Sequence, residues 1–342
     1  MPAESEPGLR VPPRTIPVPT SVSPQAQAYL ASPGLSPEPY PPSGDLAGWR
    51  EYAASMDAQL FAYLAHVNSD GAEVEHNTID GGAGVFAIIP PNAIPGDRRV
   101  FLDIHGGGLI AGGGRCCRLT GIISAIRYGL PTWAVDYRMP PDHPYPAGLD
   151  DCVAAYRTLL ETREPGEIVI GGTSAGGNLA AALILRVRDE ELPLPAAALL
   201  LTPELDLSES GDSFRTNLGV DNVLTQSMMP VNLLYANGHD LTGPYLSPVF
   251  GDFAAGFPPT LLASGTRDLF LSNAVRMHRA LRRAAVRAEL HVLEAAPHGL
   301  LPGTPEAQEL VREVRAFIEA LVPVGTGRLQ GLGRVTDHRS RG

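Results

Sequence analysis

Residues 169 to 178 read Val-Ile-Gly-Gly-Thr-Ser-Ala-Gly-Gly-Asn, which sets Gly172, Ser174 and Gly176 in a Gly-x-Ser-x-Gly frame. An apolar run precedes the frame and an Ala/Leu-rich helical pattern, Ala175 to Asp189, follows it, so the serine falls at a tight strand-to-helix turn. Such a turn strains the backbone at the serine. Side chains larger than glycine two positions to either side would collide with the adjoining strand and helix. The strain presents the hydroxyl to solvent. Taken alone, the frame also suits an ordinary turn, because Gly and Ser serve turns and helix N-caps for purely local reasons.

A second segment narrows the reading. Arg99 to Ile104 has the composition of a buried strand and runs straight into His105-Gly106-Gly107-Gly108. Three consecutive glycines after a strand let several backbone N–H groups converge on one point, as a tetrahedral oxyanion requires. A merely flexible loop explains the glycines but neither the strand before them nor the elbow that follows. Two polar groups come later in the chain. The apolar run Thr260 to Gly265 ends in Thr266-Arg267-Asp268, and Glu289 to Leu293 leads through Glu294-Ala295-Ala296-Pro297 to His298-Gly299. Functional groups collect at the carboxyl ends of parallel strands, so Ser174, Asp268 and His298 can meet at one sheet edge despite their separation. In that arrangement Ser174 is the nucleophile and His298 its base, later the acid that protonates the leaving alcohol. Asp268 holds the imidazole in the right tautomer. Glu294 and Asp240 are the alternative acids. Asp268 could also serve simply as a carboxylate near the start of the next helix.

With these segments goes Asp136-Tyr137-Arg138-Met139-Pro140-Pro141-Asp142-His143-Pro144-Tyr145-Pro146-Ala147. In combination and in this order, over residues 70 to 320, they resemble the bacterial hormone-sensitive-lipase family of α/β-hydrolases, in the branch whose elbow reads Gly-Thr-Ser-Ala-Gly-Gly. The resemblance implies an α/β-hydrolase fold: an eight-stranded, mainly parallel sheet flanked by helices, with a helical cap. It also implies hydrolysis of short-acyl carboxylic esters through an acyl-enzyme, with no metal and no cofactor. Family usage of the second and third loop glycines makes Gly107, Gly108 and Ala175 the oxyanion donors, with Gly106 a further candidate. The box departs from the family pattern at Met139, Pro140 and Asp142, and Leu109 stands where an aromatic residue often follows the glycines. These departures bear on substrate preference more than on chemistry. Amide, carbamate and lactone hydrolysis would use the same residues. Ligand-binding proteins on this scaffold typically lose the histidine that His298 represents. His105, Asp136, Arg138 and His143 are read as structural, shaping and bracing the loop, and Asn178 as packing or a local hydrogen bond.

Strands are expected near 72–79, 84–89, 99–104, 132–137, 167–171, 196–201, 260–265 and 288–293, with helices over 118–128, 147–162, 175–189, 273–285 and 305–321. This alternation predicts a mainly parallel sheet covered on both faces. Ahead of it, residues 1 to 68 form a proline-rich arm and cap helices: one over Pro24 to Leu30 and a second starting at Asp45 as N-cap. The second carries Leu46, Trp49, Tyr52, Met56, Leu60, Tyr63 and Leu64 on one face. Residues 69 to 322 form the catalytic domain. The interval 206–257 breaks the alternation and reads as a second cap segment, and 323–342 as a disordered tail.

At 342 residues the chain suits one large α/β core with an accessory cap, and 44% hydrophobic residues suffice to bury the sheet. A net charge of −11, with no lysine in the sequence, disfavours nucleic acid and anionic membrane surfaces. Three cysteines, Cys116, Cys117 and Cys152, cannot build a disulfide framework. The proline-rich start lacks the apolar run of a signal peptide, so the expected compartment is cytoplasmic. The expected partner is a small-molecule ester, with homodimer formation left open.

Overall fold

The computed structural model describes residues 8–9, 11–34, 36, 38–66 and 69–324. Most of the expected tail, residues 325–342, therefore lies outside the described residues. All eight expected strands form: β1 (Glu73–Thr78), β2 (Gly84–Ile89), β3 (Val100–Ile104), β4 (Thr132–Asp136), β5 (Ile168–Thr173), β6 (Ala197–Leu201), β7 (Thr260–Gly265) and β8 (Ala288–Leu293). They pair in the order β1-β2-β4-β3-β5-β6-β7-β8. β2 is antiparallel to both β1 and β4, and every pair from β4 to β8 is parallel.

The apolar runs are fully covered because helices lie on both faces; every residue of β3 and of β6 is buried. On one face Leu102, Ile104, Ile170 and Leu200 pack against α4 (Ala147–Leu160), α5 (Ala175–Asp189) and α8 (Leu271–Arg283). On the other, Phe101, Val169 and Leu199 meet α9 (Pro305–Leu321). Helix α3 (Arg115–Tyr128) covers β2 and β4 on that outer side. It begins three residues before the expected Arg118, because Gly114 at φ 57° turns the chain into it, so Cys116 and Cys117 sit on the helix, buried.

The N-terminal elements divide. Helix α1 (Pro24–Ala31) docks at the start of α9, where Glu306 accepts from the Ser23 amide at 2.6 Å and hydroxyl at 2.8 Å. Helix α2 (Leu46–Leu64) is N-capped by Asp45, as expected, through the Gly48 amide at 2.9 Å. Its apolar stripe is only half covered: Trp49 and Leu64 are buried, while Leu46 and Tyr63 stay about half exposed. The insertion 206–257 contains α6 (Ser213–Thr216) and α7 (Met229–Ala236). Trp49 of α2 joins Phe214, Met228 and Val231 of the insertion in one apolar cluster, which packs against Ile110 and Ala111 after the glycine loop and against Leu269 and Phe270.

The turn between β5 and α5 depends on two glycines. A Cβ on Gly172 would meet the Gly176 backbone carbon at 2.5 Å, and one on Gly176 would strike the Ile104 carbonyl oxygen and lie 2.7 Å from that of His105. Overpacking against backbone is expected to cost about 1–3 kcal/mol. Gly176→Ala should therefore lower the melting temperature in calorimetry by several degrees, whereas Gly44→Ala, with nothing within 4 Å, should leave it in place. Equal melting temperatures for the two variants would contradict the close approach.

Candidate active site

Ser174 occupies the turn at φ 59° and ψ −122°, a left-handed conformation that side-chain-bearing residues rarely adopt. The turn is pinned from three directions. The Ser174 amide donates to the Leu201 carbonyl at 2.9 Å, and the Ser174 carbonyl accepts from the amides of Asn178 and Glu204, each at 3.2 Å. Asn178 itself does more than local work. Its buried Nδ2 donates to Glu204 O at 2.7 Å and Leu246 O at 2.8 Å, tying α5 to the loop after β6 and to the insertion.

The glycine loop lies beside the serine. A Cβ on Gly106 would sit 3.5 Å from Ser174 Cβ and 2.8 Å from the Thr173 carbonyl oxygen. Gly107 at φ 128° and Gly108 at φ 61° both adopt backbone conformations natural only to glycine. The Gly107 carbonyl accepts from the Ile110 amide at 3.2 Å and the Ala111 amide at 3.0 Å, which curls the loop. Among the described residues, no backbone partner takes the amides of Gly106, Gly107, Gly108 or Ala175, the last at the N-terminus of α5.

Two further loops complete the edge. Thr173 registers with Leu201, Leu201 with Ala263, and Gly265 with Leu293, so the carboxyl ends of β5 to β8 are adjacent. Asp268 follows β7 and is wholly buried, its Oδ2 accepting from Ser264 Oγ at 2.7 Å and its Oδ1 from the Phe270 amide at 2.9 Å. Oδ1 also meets His298 Nδ1 at 3.1 Å. Two of the three expected groups are thus joined directly, while among the described residues no hydrogen bond yet links Ser174 Oγ to His298. The alternative acids stand apart: Glu294 is exposed, and exposed Asp240 engages the amide and hydroxyl of Thr242.

Burial opposes a charged His298. Asp268 on Nδ1, together with the nearby Asp221 and Glu204, outweighs that and raises its pKa above the ordinary histidine value. Neither Asp221 nor Glu204 stands out in the sequence; the one trace is a pair of acids, Glu204 and Asp206, in the apolar stretch after β6. Among the described residues both buried carboxylate oxygens of Glu204 are without a hydrogen-bond partner at ordinary distance, and the neighbouring Asn232 amide donates to Leu207 O at 3.1 Å. Burial pushes its carboxyl up to about 8, helped by Glu209 and Asp206 and opposed by Asn232 and His298.

Of the polar residues read as structural, His105, Asp136 and Arg138 take such places, while His143 is exposed. The His105 ring stacks on Tyr137 at 4.1 Å, its Nδ1 meets Gly106 O at 2.8 Å, and Tyr137 Oη donates to His105 O at 3.0 Å. Arg138 forks onto buried Asp151, Asp136 accepts from the Gly114 amide, and exposed Asp142 pairs with Arg50 of α2 at 2.7 Å. His105, Cys117 and Asp136 bring ligand atoms within 4.8 Å of one another. Burial raises the Cys117 thiol well above its ordinary pKa and lowers that of His105, which suits a neutral packed brace. A separate apolar cavity of about 520 Å³ opens between α2 and α7, lined by Tyr40, Trp49, Gln226, Met229, Pro230 and Leu233 and by none of the three candidate catalytic groups. Among the described residues no helix is long and apolar enough to cross a membrane.

A strained serine elbow, a glycine loop beside it and an Asp–His pair at the carboxyl edge of this sheet define a hydrolase of the α/β class. Residues 101–302 match the family model of the alpha/beta hydrolase fold, and the chain belongs to that family. An acetyl-hydrolase of Streptomyces hygroscopicus is 34% identical over 238 residues, 67% of this chain and 78% of that one. The crystal structure of an esterase E25 superposes with a TM-score of 0.83 at 33% identity, covering 92% of this chain and 99% of that one. An esterase from the bacterial hormone-sensitive lipase family gives 0.75 at 29% identity, covering 88% and 99%.

The Glu204 environment carries a stability prediction. A free glutamate titrates near ~4.3, so from there to about 8 the folded chain holds more protons than the unfolded one and stability falls as pH rises. Glu204→Gln removes that loss. Its melting temperature relative to the parent should climb between pH 5 and pH 8; a difference independent of pH would contradict a buried, proton-holding carboxyl.

Proposed function

We propose that this chain is a serine carboxylic-ester hydrolase that cleaves short-acyl esters through an acyl-enzyme. The observation that carries the reading is the contact of 3.1 Å between buried His298 and buried Asp268, on two loops at the sheet edge that also bears the strained Ser174 turn. With Nδ1–H committed to Asp268, the imidazole offers its Nε2 lone pair to the serine proton. Ser174 Oγ then attacks the ester carbonyl carbon while Nε2 takes the proton. Negative charge gathers on the carbonyl oxygen, where the amides of Gly107, Gly108 and Ala175 can receive it, with Gly106 as a further donor. Collapse expels the alcohol, protonated by His298. A water activated by the same nitrogen then releases the acid and restores the serine. His298 is charged twice in each cycle, and the carboxylates around it favour that form.

Short acyl specificity rests on the cluster that α2 and the insertion form over the glycine loop, which we read as a cap. Met228 stands close enough to Gly108 that a Cβ there would lie 3.0 Å from its Cε, so the roof is low beside the proposed oxyanion site. The name acetyl-hydrolase carried by the Streptomyces relative agrees with this preference.

Ser174→Ala should lower kcat by on the order of 10⁴ to 10⁶ with circular dichroism unchanged, and a phosphonate should label the parent stoichiometrically at Ser174. Asp268→Asn should cost roughly 10⁴-fold, against a mild effect for Glu294→Gln and Asp240→Asn. Labelling at another serine, or the reverse ranking of acids, would overturn the assignment.

Each methylene that fits contributes about 0.8 kcal/mol, and one that does not fit forfeits that gain. On nitrophenyl esters the rate should peak near C4 to C6 and collapse by about C12, and Met228→Ala should extend the profile to longer chains. A preference for long chains in the parent, or an unchanged profile in the variant, would remove the roof.

A further inference from the structure

We propose that Asp221, in the insertion, is a positioning residue that locks Asp268 and His298 in register and adds a second negative charge facing the imidazolium. This rests on the serine-hydrolase reading above. Asp221 is buried, and its carboxylate accepts from four backbone amides. Oδ1 takes the local amides of Val223 at 2.8 Å and Leu224 at 3.1 Å, which by themselves describe an ordinary turn. Oδ2 does something different. It accepts from Leu269, one residue past the candidate acid, at 2.9 Å, and from His298 itself at 3.2 Å. One oxygen thus joins the loop after β7 to the loop after β8, and both to the insertion.

The same turn grips the acid loop from the other polarity. Asn217, whose carbonyl accepts from the Asp221 amide at 3.0 Å, donates Nδ2 to Asp268 O at 2.8 Å and to Thr266 O at 3.3 Å. Asn217 gives to the carbonyls and Asp221 receives from the amides, so the two hold both loops without occupying Asp268 Oδ1 or the imidazole. Only a carboxylate can do the second part: it accepts through both oxygens, whereas Asn would turn an NH₂ against two amides on one side.

The electrostatic consequence follows from the groups that face His298. These are Asp268 from the loop after β7, Asp221 from the insertion and Glu204 from the loop after β6, with the Phe270 ring edge-on at 5.0 Å. Asp221 in turn is faced by His298, by Asp268 and by Tyr29 of α1. Removing the Asp221 charge withdraws stabilisation from the imidazolium, so the acid limb of kcat/KM must move to lower pH. A role confined to folding moves no such limb.

The test uses the full-length protein and p-nitrophenyl butyrate, comparing parent, Asp221→Asn, Asn217→Ala and Ser174→Ala across pH 5 to 9, with thermal unfolding alongside. Asp221→Asn should lose roughly 10- to 100-fold in kcat, in the range of other misplaced catalytic groups, with KM within about 3-fold and the acid limb shifted to lower pH. Asn217→Ala, which keeps the charge, should lose about 10-fold in kcat with the limb where the parent has it. Unchanged kcat in folded Asp221→Asn, or a fall in kcat with the limb unmoved, overturns the proposal. If Asp221→Asn does not fold, Asn217→Ala decides: a kcat equal to the parent overturns the clamp. Turnover retained by Ser174→Ala overturns the underlying reading instead, and the proposal with it.

Discussion

Three stretches of backbone, the end of β3, the end of β5 and the first turn of α5, meet so closely that no side chain fits between them. Gly172 and Gly176 are the contact points, each facing the Ile104 carbonyl. The glycine loop leaves β3 from that same contact and so arrives beside Ser174, and the positive φ of the serine follows from the sharp reversal of the chain. The positions of the proposed nucleophile and the proposed oxyanion donors therefore have one cause. Backbone approach places them together before any side chain is considered, and the parallel pairing of β3 with β5 makes that approach possible.

Around this rigid centre the polar groups are arranged to make one buried histidine carry charge. Dry surroundings favour neutral imidazole, and three acidic side chains from separate loops face it, of which Asp268 does most to offset the burial. They are not equivalent. Asp268 is fixed by a hydroxyl and an amide and bonds the ring, Asp221 is satisfied by four amides and bonds only the main chain, and Glu204 has no partner and holds its proton to about 8. Burial raises the carboxyl pKa of both Glu204 and Asp221, but at Asp221 His298 and the amides of Val223 and Leu269 oppose the rise. The insertion that supplies Asp221 also supplies Met228 beside Gly108, so one segment both packs against the glycine loop and bonds the loops after β7 and β8.

Much of this was legible in the chain, and the reasons are local. The eight strands announce themselves as apolar runs bounded by turns, and their boundaries agree closely because buried parallel strands tolerate little else. The start of α3 was less legible, since a glycine N-cap carries no side-chain signal at Gly114. Asn178 reads as a small polar residue on a helix; only the return of the chain at Leu246 makes it a cross-link.

The sequence by itself determined the sheet, the elbow and the glycine loop, and it singled out Ser174, Asp268 and His298 as candidates, because each is written as a short motif whose geometry is confined to neighbouring residues. Tertiary structure alone decided which acids face the histidine. Asp221 lies 48 residues from Leu269 and 77 from His298, and nothing in Gly-Val-Asp-Asn-Val marks it out. It also decided that α1 docks beside α9 while α2 joins the insertion, since an apolar helical face specifies that it will be buried but not against what. Periodicity and motif spacing encode local conformation, whereas desolvation and charge depend on distances that exist only once the chain has closed on itself.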